Sequence, residues 1–274
     1  MNYTVYDFYT RDEIERSLLI ALLSDNYFDG FEETSETLQA YVPDEQANDE
    51  TVVEILTLND WSHIRFEKRK LEHKNWNEEW EKNFSPVLLA ERVAIRAPFH
   101  EPISAEFELV IEPKMSFGTG HHPTTEGMVT LMLNEDFTGK TVLDFGSGTG
   151  VLAILAEKLG ATEILAVDNE EWAYENAKEN AERNNSKNIT CQLANDSLAI
   201  TKQYDIILAN INRHIILAQI SDWTKRLKPT GLMMVSGILD NDEKVIVEAA
   251  QHCGLNVKNI LRLNGWLAIS FSHI

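Results

Sequence analysis

Three segments of the chain carry side chains whose types and spacing suit chemistry. The first reads Asp144-Phe145-Gly146-Ser147-Gly148-Thr149-Gly150, between the apolar run Thr141 to Phe145 and a stretch of helical periodicity from Val151 to Leu159. Glycines at such a strand-to-helix junction let the backbone turn tightly and let a ligand lie against bare main chain. A nicotinamide or flavin fingerprint places its third glycine at position 151, where Val151 stands. A carboxylate at Asp144 repels a pyrophosphate and attracts a ligand bearing an ammonium or sulfonium group. The segment therefore points to S-adenosyl-L-methionine rather than a dinucleotide, with Asp144, Gly146 and Gly148 against it, although the same turn also serves as a plain connection.

The second candidate is Asp168, which ends the next strand 22 residues after Gly146. Doubly wound folds place there the carboxylate that accepts hydrogen bonds from ribose hydroxyls; capping the helix that begins near Glu171 is the alternative. The third is Leu208-Ala209-Asn210-Ile211-Asn212, closing a strand that lies beside the first. An amine attacking a sulfonium methyl needs acceptors that aim its lone pair and no group that keeps it protonated. The neutral amide of Asn210 meets that need and is the candidate catalytic residue, with capping of the following helix as its alternative. Ala194-Asn195-Asp196-Ser197 follows the third strand, where an adenine edge can be held. In the loop Met115 to Thr125, two glycines, hydroxyls and a proline precede a helix whose N-terminus lets Thr125 hydrogen-bond a ligand. His121 and His122 are adjacent and unaccompanied by thiolates or further histidines, so no metal site is expected.

The elements that must position these residues alternate from Lys140 onward. Strands at Thr141 to Phe145, Glu163 to Val167, Ile189 to Leu193, Tyr204 to Ala209 and Gly231 to Ser236 are separated by helices at Val151 to Leu159, Glu171 to Arg183 and Ile211 to Leu227, with another at Asp242 to His252. Such alternation implies a parallel sheet covered on both faces. Val257 to Leu263 and Trp266 to Phe271, joined by Asn264-Gly265, pair as an antiparallel hairpin. Upstream, Val87 to Ala97 and Glu106 to Ile111 read as strands. Trp76, Trp80 and Phe84 share a helical face in a linker. The first seventy residues read as strand Val5 to Tyr9, a helix capped by Thr10 with Ile14, Leu18, Leu19 and Leu22 on its apolar face, strands Tyr27 to Phe31 and Thr37 to Val42, helix Asp49 to Leu58 and strand Ile64 to Lys70. That βαββαβ order is a small split sandwich with no nucleophile or glycine loop, suited to recognition.

Taken together, Phe117-Gly118-Thr119-Gly120-His121-His122-Pro123-Thr124-Thr125, the turn Asp144 to Gly150, Asp168 and Ala209-Asn210-Ile211 resemble the ribosomal protein L11 methyltransferases. The likeness extends to the Trp76 to Pro86 linker and to Gly265-Trp266-Leu267. It implies a Rossmann-like class I methyltransferase sheet at 87–274, a linker helix at 73–86 and a ferredoxin-like α+β substrate-recognition domain at 1–72. It implies transfer of methyl groups from S-adenosyl-L-methionine to lysine side chains and the N-terminal amine of ribosomal protein L11. Cofactor contacts follow at Thr125, Gly146, Asp168 and Asn210, with Phe117 and Gly118 over the methionine end. Asn212-Arg213 departs from the small or apolar residues expected after Asn-Ile. Methylation of another basic protein or of adenine N6 in nucleic acid, and cofactor binding without turnover, are the competing functions.

The formal charge is −20 over 274 residues, from 24 Lys and Arg against 44 Asp and Glu. A surface that acidic disfavours nucleic acid and anionic lipid and favours a lysine-rich partner. Two cysteines are too few for a disulfide framework or a structural zinc site. No apolar run approaches the roughly 18 residues of a membrane span, so a cytoplasmic, unexported protein is expected.

Overall fold

The computed structural model describes residues 3–70, 84–114, 118–194 and 202–273. Phe117, Trp76, Trp80 and Asn195-Asp196-Ser197 lie outside the described residues. The chain divides into two compact units, Met1–Trp80 and Glu81–Ile274.

The first unit contains β1 (Tyr3–Tyr9), α1 (Glu13–Ser24), β2 (Gly30–Glu33), β3 (Leu38–Pro43), α2 (Asp49–Leu58) and β4 (Arg65–Lys70). The four strands form an antiparallel sheet in the order β2-β3-β1-β4, the expected βαββαβ arrangement. Tyr6, Phe8, Leu38, Ala40 and Val42 turn toward the helices and build the core with Leu19, Leu23, Val52 and Ile55. Three local expectations fail here. The cap of α1 is Asp12, whose carboxylate accepts from the Ile14 and Glu15 amides at 2.9 and 3.0 Å, while the Thr10 hydroxyl donates to Glu15 instead. The buried face of α1 carries Arg16, Leu19 and Leu23, while Ile14 and Leu18 stand 72% and 49% exposed. Tyr27 takes a φ of 69°, outside the extended region, so β2 begins only at Gly30.

The second unit opens with a three-stranded sheet of β5 (Val87–Leu89), β6 (Val93–Arg96) and β7 (Phe107–Val110). The single strand expected at Val87 to Ala97 is instead a hairpin. Ala90 and Glu91 adopt φ of 46° and 56°, the paired left-handed conformation of a tight hairpin turn. Residues 84–86 of the expected linker helix are not helical. Then follow α3 (Pro123–Leu133), β8 (Thr141–Phe145), α4 (Val151–Lys158), β9 (Glu163–Asp168), α5 (Glu171–Arg183), β10 (Ile189–Leu193), β11 (Tyr204–Asn210), α6 (Arg213–Arg226), β12 (Leu227–Leu239), α7 (Glu243–His252), β13 (Leu255–Leu263) and β14 (Trp266–His273).

These alternating elements form one seven-stranded sheet, ordered β10-β9-β8-β11-β12-β14-β13. The first five strands are parallel, and β14 runs antiparallel between β12 and β13. Strands covered on both faces are apolar on both, which explains the unbroken apolar runs in the sequence. Val142, Ile206 and Leu208 face a core that includes Met128, Met132 and Leu152. Leu143, Ile207 and Ala209 face a second core around Trp223, Ile246 and Phe271. Asn264 and Gly265 both have positive φ, 51° and 80°, as the expected two-residue hairpin turn requires. The mostly parallel sheet with a terminal antiparallel hairpin is thus the one the sequence implied.

Candidate active site

The strand order reverses at β8, which has β9 on one side and β11 on the other. Open α/β sheets leave a crevice at such a switch point, beyond the carboxyl ends of the strands. A cavity of about 400 Å³ occurs there, within the second unit, and is walled by the turn after β8, the end of β9, the end of β11 and Trp266 at the start of β14. Its size falls in the usual range for small-molecule sites.

The turn is held from several directions. The amides of Gly146 and Ser147 donate to the Val167 carbonyl at 2.8 and 3.0 Å, and the Gly150 amide closes the turn on the Ser147 carbonyl at 2.8 Å. Asn180 on α5 donates to the Thr149 carbonyl at 3.0 Å. The Thr149 hydroxyl donates to the Gly118 carbonyl at 2.8 Å, tying the loop before α3 to the turn. Gly146 is required rather than merely permitted: its φ is +73°, and a Cβ there would stand 2.3 Å from Cγ2 of Ile211. The turn after β8 and Ile211, the residue after Asn210, are therefore packed as closely as glycine allows.

Asp168 lines the cavity and is 9% exposed. One carboxylate oxygen accepts from the Gly148 amide at 2.8 Å and the other from the Glu170 amide at 3.1 Å. Each oxygen retains a lone pair for a further donor, so the group that fixes the turn can also bind a hydroxyl pair. Asn210 ends β11 on the cavity wall, and its side-chain oxygen is buried without a hydrogen-bond partner. A buried acceptor without a donor costs free energy, which a ligand donor recovers. Gly118, Gly146 and Gly148 also line the cavity.

Two expected contacts lie elsewhere. Thr125 and Asp144 are 0% and 1% exposed, and neither lines the cavity. Asp144 accepts from the Ala153 amide at 3.1 Å, serving the first turn of α4, whose own N-cap Gly150 has no side chain to offer. Its second oxygen, like the Thr125 hydroxyl, is buried without a partner. Burial in the apolar layer pushes the Asp144 carboxyl up to about 7; the Asp168 charge adds to this and the Ala153 amide opposes it. Phe117, expected over the methionine end, lies outside the described residues.

The cavity also takes in residues that sequence reasoning passed over. Trp172, 45% exposed, lines it from the first turn of α5, beside Ala173; Ile215 on α6 and Gly237 on β12 complete the wall. The signal for Trp172 was available: α5 buries Ala173, Asn176, Ala177 and Asn180, so a large apolar side chain off that face, four residues after Asp168, has no core to fill. His122 caps α3 by accepting from the Thr124 amide, and its ring meets Trp266 edge-on at 4.7 Å. His121 reaches the Ser85 carbonyl at 2.9 Å. Among the described residues no group of three or more His, Cys, Asp or Glu side chains converges on a metal position.

Comparison with known proteins bears on this site. A family model described as "Ribosomal protein L11 methyltransferase (PrmA)" matches residues 19–273. A ribosomal protein L11 methyltransferase of Porphyromonas gingivalis is 38% identical over 269 residues, covering 95% of this chain and 91% of that protein. One from Phocaeicola vulgatus is 36% identical over 266 residues, covering 95% and 94%. Among solved structures, a ribosomal protein L11 methylase from Lactobacillus delbrueckii subsp. bulgaricus superposes with a TM-score of 0.65 at 27% identity, covering 69% of this chain and 99% of that one.

Proposed function

Because the chain belongs to the ribosomal protein L11 methyltransferase family, we propose that it transfers methyl groups from S-adenosyl-L-methionine to amino groups of ribosomal protein L11. The observation that carries this reading is the buried, unpartnered oxygen of Asn210 on a cavity shared with the glycine turn and Asp168. The residues present fit the donor. Asp168 has acceptor capacity for a ribose diol, Gly146 and Gly148 offer bare main chain, and Val151, Leu152, Trp172 and Ala173 supply apolar wall for a purine. When bound, the donor supplies a methyl already activated on a sulfonium.

The protein's own task is then alignment and deprotonation control. Asn210 accepts an N–H of the incoming amine and leaves its lone pair directed into the cavity. A neutral amide does not stabilise the ammonium form as a carboxylate would. Lysine is mostly protonated near neutral pH, with an ordinary pKa of about 10.4, so entry into an apolar cleft favours the free base needed for attack. The residues 1–72 serve as the grip on L11. A net charge of −20 raises the encounter rate with a lysine-rich substrate and does so less at high salt.

The test is incubation of the purified chain with methyl-labelled S-adenosyl-L-methionine and purified L11, with nucleic acid and unrelated basic proteins as parallel acceptors. Label on L11 amines is expected. Label confined to nucleic acid or to another protein, or binding without transfer, overturns the assignment.

A further inference from the structure

We propose that Asn212 is a second amide acceptor for the incoming amine, which matches the site to an unmethylated amino group in preference to one already methylated. This rests on the amine-methylation reading above. Asn212 occupies the N-cap position of the 14-residue α6, with the extended backbone (φ −62°, ψ 144°) that N-caps adopt. Asparagine there normally turns its side-chain oxygen onto an amide of the first helical turn. Here it makes no such bond. The residue is exposed and lines the cavity, two positions after the unpartnered oxygen of Asn210. Its neighbour Arg213 is drawn aside into an ion pair with Asp242 at 2.5 Å. The rim thus carries an uncapping amide beside an orphaned one, where the family resemblance implies a small or apolar residue.

Counting hydrogens gives this pair a meaning. A neutral primary amine has one lone pair and two N–H groups. With the lone pair aimed at the methyl carbon, both N–H groups need acceptors once water is excluded, because an unmade bond to a desolvated donor is costly. Asn210 takes one and Asn212 the other. In each transfer the nitrogen lone pair forms the new N–C bond as the S–C bond breaks, the bonding pair leaves with sulfur as a neutral thioether, and the resulting ammonium gives one proton to solvent. A monomethylated amine therefore returns with one N–H and a dimethylated amine with none. The contribution of Asn212 is largest at the first transfer and has vanished by the third, when its amide faces a methyl group.

The experiment compares wild type with Asn212→Leu, which keeps the side-chain shape, and Asn212→Ala. Two acceptors are used: unmodified L11, and L11 whose amines have been dimethylated chemically by reductive methylation. For each pair kcat/KM is measured, along with the affinity of the S-adenosylhomocysteine-loaded enzyme for both forms of L11. Calorimetry with S-adenosylhomocysteine alone and thermal melting serve as controls. Both substitutions are expected to lower the preference for unmodified over dimethylated L11 roughly 5- to 50-fold, the effect of one lost or unmade hydrogen bond. Cofactor affinity and melting temperature stay unchanged, since no capping bond is removed. Where wild type is inactive on dimethylated L11, the affinity ratio decides in the same direction. An unchanged preference overturns the proposal, as does equal loss on both acceptors accompanied by a lowered melting temperature, which makes Asn212 a helix cap. If wild type binds S-adenosylhomocysteine yet transfers nothing to unmodified L11, the functional reading itself fails and takes this proposal with it.

Discussion

Replacing Asp144 by asparagine isolates the energetic consequence of burying a carboxyl beneath the glycine turn. Asp144 is 1% exposed, and burial raises its pKa from 3.8 to about 7. An unfolded chain releases this proton near 3.8, whereas the folded one keeps it to about 7. The contribution to stability is therefore fully present at low pH and is lost as pH rises through the folded pKa. At about 1.4 kcal/mol per pKa unit, the interval between 3.8 and about 7 is worth about 4 kcal/mol. Asparagine has nearly the same shape, its oxygen still accepts from the Ala153 amide, and it never acquires the charge. Urea unfolding of both proteins from pH 4 to pH 9 measures the difference directly. Trp223, which packs on Phe145 at 5.2 Å in the adjacent core, supplies a nearby fluorescent reporter. All other titrating groups are common to the two proteins and cancel in the difference. The variant should gain on wild type progressively between pH 4 and about pH 7 and hold a constant advantage of up to about 4 kcal/mol above it. A difference that stays flat across this range would refute the assignment of the shift to burial of Asp144.

Two further substitutions probe the cavity wall. Gly146→Ala forces a left-handed backbone on a Cβ residue, at about 1–2 kcal/mol, and drives that Cβ against Ile211; a lower melting temperature and at least tenfold weaker S-adenosylhomocysteine binding are expected by calorimetry, and a variant that binds as wild type does would show the turn to be plastic. Asp168→Ala removes the acceptor of the Gly148 and Glu170 amides together with the candidate ribose contact; binding should weaken by about 1–3 kcal/mol, while unaltered affinity would leave Asp168 the role of a cap.

Legibility from sequence followed the range of the interactions involved. The turn after β8, the hairpin turn at Asn264-Gly265 and the helix Glu171–Arg183 are specified by neighbours a few residues apart, and their bounds or conformations follow from sequence. Thr10 and Asp12 both suit the cap of α1 by residue type, and the structure gives the position to Asp12. Which side of α1 is buried, that of Leu19 and Leu23, is set by packing against the sheet and not by the cap. In the same way, nothing local in Ala90-Glu91 announces a hairpin turn; it is imposed by the pairing of Val87 with Ile95.

What the chain encodes locally is the set of reactive groups: a glycine-lined bend, a carboxylate at the end of the next strand, β9, and an amide at the end of β11. These are short-range patterns, since strand ends and turns are fixed by a handful of consecutive residues. What only the three-dimensional arrangement settled is which of them share a wall. Parallel pairing of β8 with β11 brings Asn210 beside the glycine turn across 60 residues of chain, while the same sheet buries Asp144 and Thr125 away from the cavity and swings Trp172 and Asn212 onto its rim. Side-chain direction at those positions depends on sheet order and helix packing, which are long-range quantities that no window of neighbouring residues contains.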